Sequence, residues 1–238
     1  MKKVKRLLIM VLLLIGAMAI EAQEKEVETT IAADLVSQYI WRGLDACDVA
    51  LQPTLGIGYK GLSLTAWGSV GLADPDDTKE FDLTLAYEIG GLKFGVTDYW
   101  FSTGLDPRNR YFKYDAHATN HVFEAFAGYD FGLLSVQWFT NFTGNDGVNE
   151  DGERAFSSYV EVNVPFRLAT VDWTATAGVV PYATSFYGTD GFAVTNLALR
   201  ASKDIKVTDG FSIPVFGQVV ANPCSQKAYL VFGFTLHP

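Results

Sequence analysis

Beyond the first two dozen residues, apolar positions recur at every second residue rather than every third or fourth. Leu51, Pro53, Leu55, Ile57 and Tyr59 alternate with Gln52, Thr54, Gly56, Gly58 and Lys60. Phe81, Leu83, Leu85, Tyr87 and Ile89 alternate with Asp82, Thr84, Ala86 and Glu88, and the rhythm returns in residues 134–138, 171–178 and 230–236. Strand side chains switch faces at each residue, so every such segment has one oily face and one polar or small face. About twelve strands are predicted, starting near residues 29, 50, 62, 80, 92, 120, 133, 155, 169, 192, 210 and 227.

The connections alternate in kind. Short turns fall at Lys60-Gly61, Gly90-Gly91, Asp130-Phe131-Gly132, residues 165–168 and residues 203–210. Longer polar links fall at residues 43–49, 72–79, 102–119, 143–154, 181–191 and 221–226. An even strand number with short turns on one rim and long loops on the other is the pattern of outer-membrane barrels, which turn their oily faces outward. Ten residues at about 3.3 Å rise, tilted by about 40°, give a wall roughly 25 Å tall, matching the apolar band of such a barrel. Aromatic residues gather at segment ends, as in Tyr39 and Trp41, Tyr99 to Phe101, and Phe139 and Phe142. The alternative is a soluble exported β protein with its oily faces inward.

Composition narrows the classes. The 238 residues carry 27 acidic and 18 basic side chains, a formal net charge of −9 with no basic block, which argues against nucleic acid as a partner. An aromatic content of 14% excludes a disordered chain. Two cysteines are too few for a disulfide scaffold or a four-thiolate zinc site.

The N-terminus reads as an address. Lys2, Lys3, Lys5 and Arg6 precede an uncharged apolar run over residues 7–20, shorter than the roughly 20 residues of a spanning helix. Ala17-Met18-Ala19 and Ala22 offer cleavage sites. The expected division is a signal peptide over 1–22 and an all-β, antiparallel up-and-down transmembrane barrel over 23–238, placed in the outer membrane of a Gram-negative bacterium.

The front of the body carries a familiar arrangement. Ser37-Gln38-Tyr39-Ile40-Trp41-Arg42-Gly43 leads through Asp45 and Asp48 to Pro53, Gly56, Gly58 and Tyr59, and then to Trp67-Gly68-Ser69. This resembles the TorF-like family of bacterial outer-membrane porins, whose members open with a Ser-x-Tyr-x-x-Arg-Gly strand followed by a Trp-Gly-Ser strand. The resemblance covers about a quarter of the chain. It implies a barrel in the outer membrane and brings no catalytic residues. The C-terminus departs from the usual terminal aromatic residue by ending Leu236-His237-Pro238, although Phe232, Phe234 and Leu236 keep the parity of a final strand.

Other motifs are weighed against plainer readings. Residues 56–61 spell G-x-G-x-x-G, but alternation continues into Leu62 and Leu64, so a hairpin is expected instead of a dinucleotide site. The acidic run 145–153 puts Gly147 where a calcium loop needs its first carboxylate, which favours a solvated surface loop. His117 and His121 lack the strand-borne Ser partner that a barrel hydrolase needs, and His237 is followed only by Pro238 in the sequence. Neither catalysis, a cofactor nor a metal is expected.

The polar faces carry the functional expectation. On this register the lumen collects Asp34, Asp82, Glu88, Glu124, Asp130, Glu161 and Asp172 against Arg42, Lys60, Lys93 and Arg200. Acids outnumber bases, which predicts a narrow pore passing small hydrophilic solutes with weak cation preference. The alternatives are a closed-lumen structural or binding barrel and a surface hydrolase on the same scaffold. Expected partners are outer-membrane lipids, small hydrophilic solutes and, during biogenesis, the barrel assembly machinery. Cys47 and Cys224 fall in the first and last long links, which barrel closure makes neighbours on one rim, so a Cys47–Cys224 disulfide is expected.

Overall fold

The computed structural model describes residues 27–74, 76–102, 109–115 and 118–237. The expected signal peptide, and His117, lie outside the described residues. The strands are β1 (Val27–Val36), β2 (Tyr39–Trp41), β3 (Leu44–Cys47), β4 (Ala50–Tyr59), β5 (Leu62–Gly71), β6 (Lys79–Ile89) and β7 (Leu92–Ser102). They continue with β8 (His121–Asp130), β9 (Ser135–Gly144), β10 (Ser158–Leu168), β11 (Val171–Val180), β12 (Ala193–Thr208), β13 (Phe211–Asn222) and β14 (Lys227–Leu236). Twelve of them close into one antiparallel barrel in the order β1-β14-β13-β12-β11-β10-β9-β8-β7-β6-β5-β4. No helix occurs among the described residues.

Alternation dictates this arrangement. Leu55, Leu85, Leu230 and Phe232 stand exposed on the outer wall, each more than half accessible. Their sequence neighbours turn into the lumen, where Gln52, Glu80, Asp82 and Thr97 are buried. Polarity is therefore inverted relative to a soluble barrel, which is the outer-membrane type of architecture. Two-residue turns at Lys60-Gly61 and Gly90-Gly91 hold positive φ at both positions, the geometry that matches strand twist in tight hairpins. The G-x-G-x-x-G stretch is the β4–β5 hairpin, as its alternation implied.

The seam is uneven. Residues of β1 pair with β4 over its whole length, from Val27↔Tyr59 to Val36↔Ala50. Against β14 only Ala33 to Val36 are paired, with Leu236 to Gly233. Ser37 extends that seam, donating its N–H to the Phe232 carbonyl at 2.8 Å while its hydroxyl accepts from the Phe232 N–H at 2.9 Å.

Two expectations about the links are corrected. The first barrel strand ends at Val36 instead of running on to Arg42, and residues 39–47 form a separate two-stranded sheet, β2–β3. This hairpin folds into the barrel, where Val36, Cys47, Ala50, Phe216 and Val231 make one apolar cluster with Tyr39 and Ile40 packed on it. The last link is a tight turn between Asn222 and Lys227.

Both corrections bear on the cysteines. Cys47 and Cys224 are free, the first buried with the hairpin and the second exposed on the β13–β14 turn. The expected disulfide is absent, with Cys47 packed into the apolar cluster at the base of the hairpin and Cys224 exposed on its turn. Maleimide added to the folded protein without reductant should modify Cys224 and spare Cys47 until denaturant is present. A linked Cys47–Cys224 peptide pair in non-reduced digests would contradict this placement.

Candidate functional site: a hairpin latched inside the barrel

The inward hairpin turns at Arg42 and Gly43, with φ of 52° and 80°. Glycine is required at position 43, because its positive φ coincides with an approach so close that a Cβ would run into the Thr195 backbone. Asn222 holds the turn from the other side, its Nδ2 donating to the Gly43 carbonyl at 3.0 Å.

Position 42 places a guanidinium inside the lumen. Its Nη1 and Nη2 donate to the two carboxylate oxygens of Glu124 at 2.6 and 2.8 Å, a bidentate pair with side-chain exposures of 7% and 1%. Nη1 also donates to the Tyr187 hydroxyl at 2.5 Å. Aromatic faces enclose the cation, with Phe139 at 4.1 Å, Trp41 at 4.4 Å and Tyr159 at 4.8 Å from Cζ to ring centre. Glu124 accepts a third bond from the Tyr99 hydroxyl at 2.9 Å. Burying a charge is costly unless it is paired and hydrogen-bonded, and here both Nη atoms of Arg42 and both carboxylate oxygens of Glu124 are engaged. The hairpin is latched.

A second layer steadies the aromatic box. Tyr159 donates to Glu161 Oε2 at 2.7 Å and accepts from Asn196 Nδ2 at 3.1 Å. Asn163 Nδ2 donates to the other oxygen of Glu161 at 2.8 Å, and Thr176 donates to Asn163 at 2.6 Å. Gly178 leaves room for the Tyr159 ring, since a Cβ there would collide with it.

The opposite flank of the hairpin is Tyr39. Its ring lies 5.4 Å from that of Trp67, so the two fragments that carry the family resemblance meet in space. Beside Tyr39, Glu80 and Asp82 lie buried on the lumen face of β6. Asp82 Oδ1 is buried with no partner among the described residues. Tyr39 is a shared wall between two cavities. One, of about 140 Å³, is lined by Asp34, Gln38, Gln52, Arg200 and Gln218 among others. The other, of about 220 Å³ and toward the long-loop rim, is lined by Trp41, Asp45, Thr78, Glu80 and Phe101 among others. At the short-turn mouth a wider cavity of about 580 Å³ is bordered by Glu28, Lys60, Glu88 and Lys93.

The remaining lumen candidates divide by depth. Asp34 accepts from the Thr235 hydroxyl at 2.5 Å, and Arg200 lies over Phe216 at 3.5 Å with Nε 3.4 Å from Ser202 Oγ. At the short-turn rim, Asp130 accepts from the Gly132 N–H at 2.7 Å. Asp172 faces Arg167 at 3.5 Å there, with both side chains about two-thirds exposed. Sequence reasoning missed Glu80, Glu28, Tyr99, Tyr159 and Tyr187. A signal existed for the hairpin itself, because Trp41-Arg42-Gly43-Leu44 repeats the pattern of the turn Tyr59-Lys60-Gly61-Leu62.

Among the described residues no group of three or more His, Cys, Asp or Glu side chains could hold a metal ion. The acidic run 145–153 ties itself up internally. Asp146 accepts from Asn141 Nδ2 and the Ser157 N–H, and Asn149 Oδ1 from the N–H groups of Asp151 and Glu153.

No family model matches the chain, and no curated protein matches it. The TorF-like resemblance therefore rests on the residues of the first strands alone. Among solved structures, the outer membrane protein OpdK from Pseudomonas aeruginosa is similar at 14% identity and a TM-score of 0.37. That alignment covers 90% of this chain and 62% of the other, so the chain spans less than two thirds of its length.

Breaking the latch on one side should cost about 3–5 kcal/mol of stability, because it strands a buried charge. Glu124→Leu alone and Arg42→Met alone should each show this loss in urea unfolding of the refolded barrel. The double variant should lose far less than the two losses combined. Additive losses would contradict a coupled pair.

Proposed function

We propose that the chain is an outer-membrane barrel that passes small hydrophilic solutes passively, through a lumen narrowed by its own β2–β3 hairpin. The apolar outer wall and the alternation of short turns with long loops support the location. The observation that carries the reading is the Tyr39 constriction, which separates cavities of about 140 and 220 Å³ and is bordered by Glu80 and Asp82. A path of this width suits small polar molecules and ions. The chemistry is that of a conduit, with no reaction step and no cofactor.

The constriction also supports a cation preference. Arg42 inside the lumen is neutralised by Glu124. Glu80 and Asp82 instead face each other without a basic ion-pair partner among the described residues. Negative charge held by this pair at a narrow point raises the local concentration of cations and disfavours anions. A closed-lumen barrel is the second reading, favoured by how completely the Arg42 latch is enclosed.

Planar-bilayer recording under a potassium chloride gradient tests both. The wild type should give a small unitary conductance with a reversal potential of cation-selective sign, weakening as salt screens the carboxylates. Removing both carboxyls of the pair, in the Glu80→Gln/Asp82→Asn double variant, should move the reversal potential toward zero. Anion selectivity would overturn the charge assignment, and the absence of any conductance would select the closed barrel.

A further inference from the structure

The outer wall carries an acid beside a histidine. Thr97 and Tyr99 of β7 and Val122 and Glu124 of β8 point into the lumen, so Asp98 and His121 belong to the rows that face outward. His121 Nδ1 lies 2.7 Å from Asp98 Oδ1. A carboxyl and an imidazole on the lipid side of a barrel are unfavourable unless something covers them. Yet His121 is fully buried.

The cover is residues 109–115, which fold down from the rim onto the wall as a strap. His121 Nε2 donates to the Tyr111 carbonyl at 2.6 Å, the Thr119 hydroxyl donates to the Lys113 carbonyl at 2.5 Å, and Asn120 Nδ2 donates to Asn109 Oδ1 at 3.1 Å. Tyr111 packs on the outward rings of Phe81 at 5.7 Å and Trp100 at 5.6 Å. Tyr114 lies 4.3 Å from His121 and 6.3 Å from Phe123. With its inner face used in this way, the strap presents Phe112 at 84% exposure, Tyr114 at 45%, and an exposed Arg110. The Lys113 N–H bonds the Arg110 carbonyl at 2.9 Å, so the two basic residues share one turn. A concave surface of about 470 Å³ runs along residues 110–115.

We infer that this strap is a docking site for a membrane lipid with an anionic phosphate headgroup. The inference rests on the membrane reading above. The strap lies where the apolar wall gives way to the long loops, the depth at which headgroups meet acyl chains. An exposed Phe and Tyr suit the chain region, and Arg110 and Lys113 suit a phosphate, which a guanidinium recognises through paired N–H donors. Among the described residues 109–115, two cations against the single acid Asp115 form a basic spot on a chain whose net charge is −9. Free phosphate would engage the cations but leave Phe112 in water, so the lipid is the occupant that uses the whole surface.

Native mass spectrometry of the barrel refolded in neutral detergent tests this, with phosphatidylglycerol and phosphatidylcholine as probes. Phosphatidylglycerol should bind in preference to phosphatidylcholine. The Arg110→Ala/Lys113→Ala double variant should bind it about tenfold more weakly, the size of a lost charge-assisted hydrogen bond. Arg167→Ala at the opposite rim should leave binding unchanged, and inorganic phosphate should not displace the lipid. Arg110→Glu, a single change at an exposed position, should reverse the preference. Equal affinity for both lipids, an unaffected double variant, or displacement by inorganic phosphate would overturn the site. Flotation with phosphatidylcholine vesicles separates the two levels. A chain that fails to float refutes the membrane reading, whereas one that floats without lipid preference refutes only the strap.

Discussion

A guanidinium placed inside a barrel must be given partners, and much of the lumen is organised around that requirement. Arg42 is the tip of a hairpin only three and four residues long per strand, far too small to be stable alone. Its position follows from the bidentate pair with Glu124, the Tyr187 hydroxyl and three aromatic faces. Gly43 and Asn222 fix the turn, and Tyr99 completes the carboxylate. With the hairpin seated, the outer half of the lumen becomes a packed core, including the cluster of Tyr159, Val180 and Tyr187 with Trp41 and Phe139 against it. The half nearer the short turns keeps its polar cavity.

This division makes physical sense of an acidic lumen. Deep carboxylates are tied down, Glu124 by arginine and Glu161 by Tyr159 and Asn163. Charges near the short-turn rim face solvent, as the exposed Arg167–Asp172 pair does. Glu80 and Asp82 are the exception, buried beside Tyr39 without a direct ion-pair partner among the described residues. Buried carboxyls lacking an ion-pair partner are unfavourable for stability alone, which is why they draw the functional reading.

The barrel was legible because a strand has a period of two and a hairpin turn has a short menu of residues. Leu51 to Tyr59 reads as one wall segment from its alternation alone, and Lys60-Gly61 marks its end. Inward parity of Asp34, Asp82, Glu124, Glu161 and Arg200 was readable for the same reason. Their partners were not, since Arg42 and Glu124 are 82 residues apart and meet only after closure. The inward hairpin was hidden because β2 is too short to alternate visibly, and no local pattern tells whether a loop turns out of a barrel or into it. The same blindness produced the expected cysteine bridge. Asp98 was visible in principle, as an acid in the row of Phe94, Val96 and Trp100, but its cover by Tyr111 and Tyr114 is a tertiary fact.

What the molecule does depends on whether the seated hairpin sets the width of the lumen. Single-channel recording of the wild type beside Glu124→Gln, and beside a variant in which residues 38–48 are replaced by a short turn, measures this directly. A small unitary conductance in the wild type, flickering to larger levels in Glu124→Gln and steadily larger without the hairpin, is the predicted result. Identical conductance in all three would show that the hairpin does not bound the path and would contradict the account.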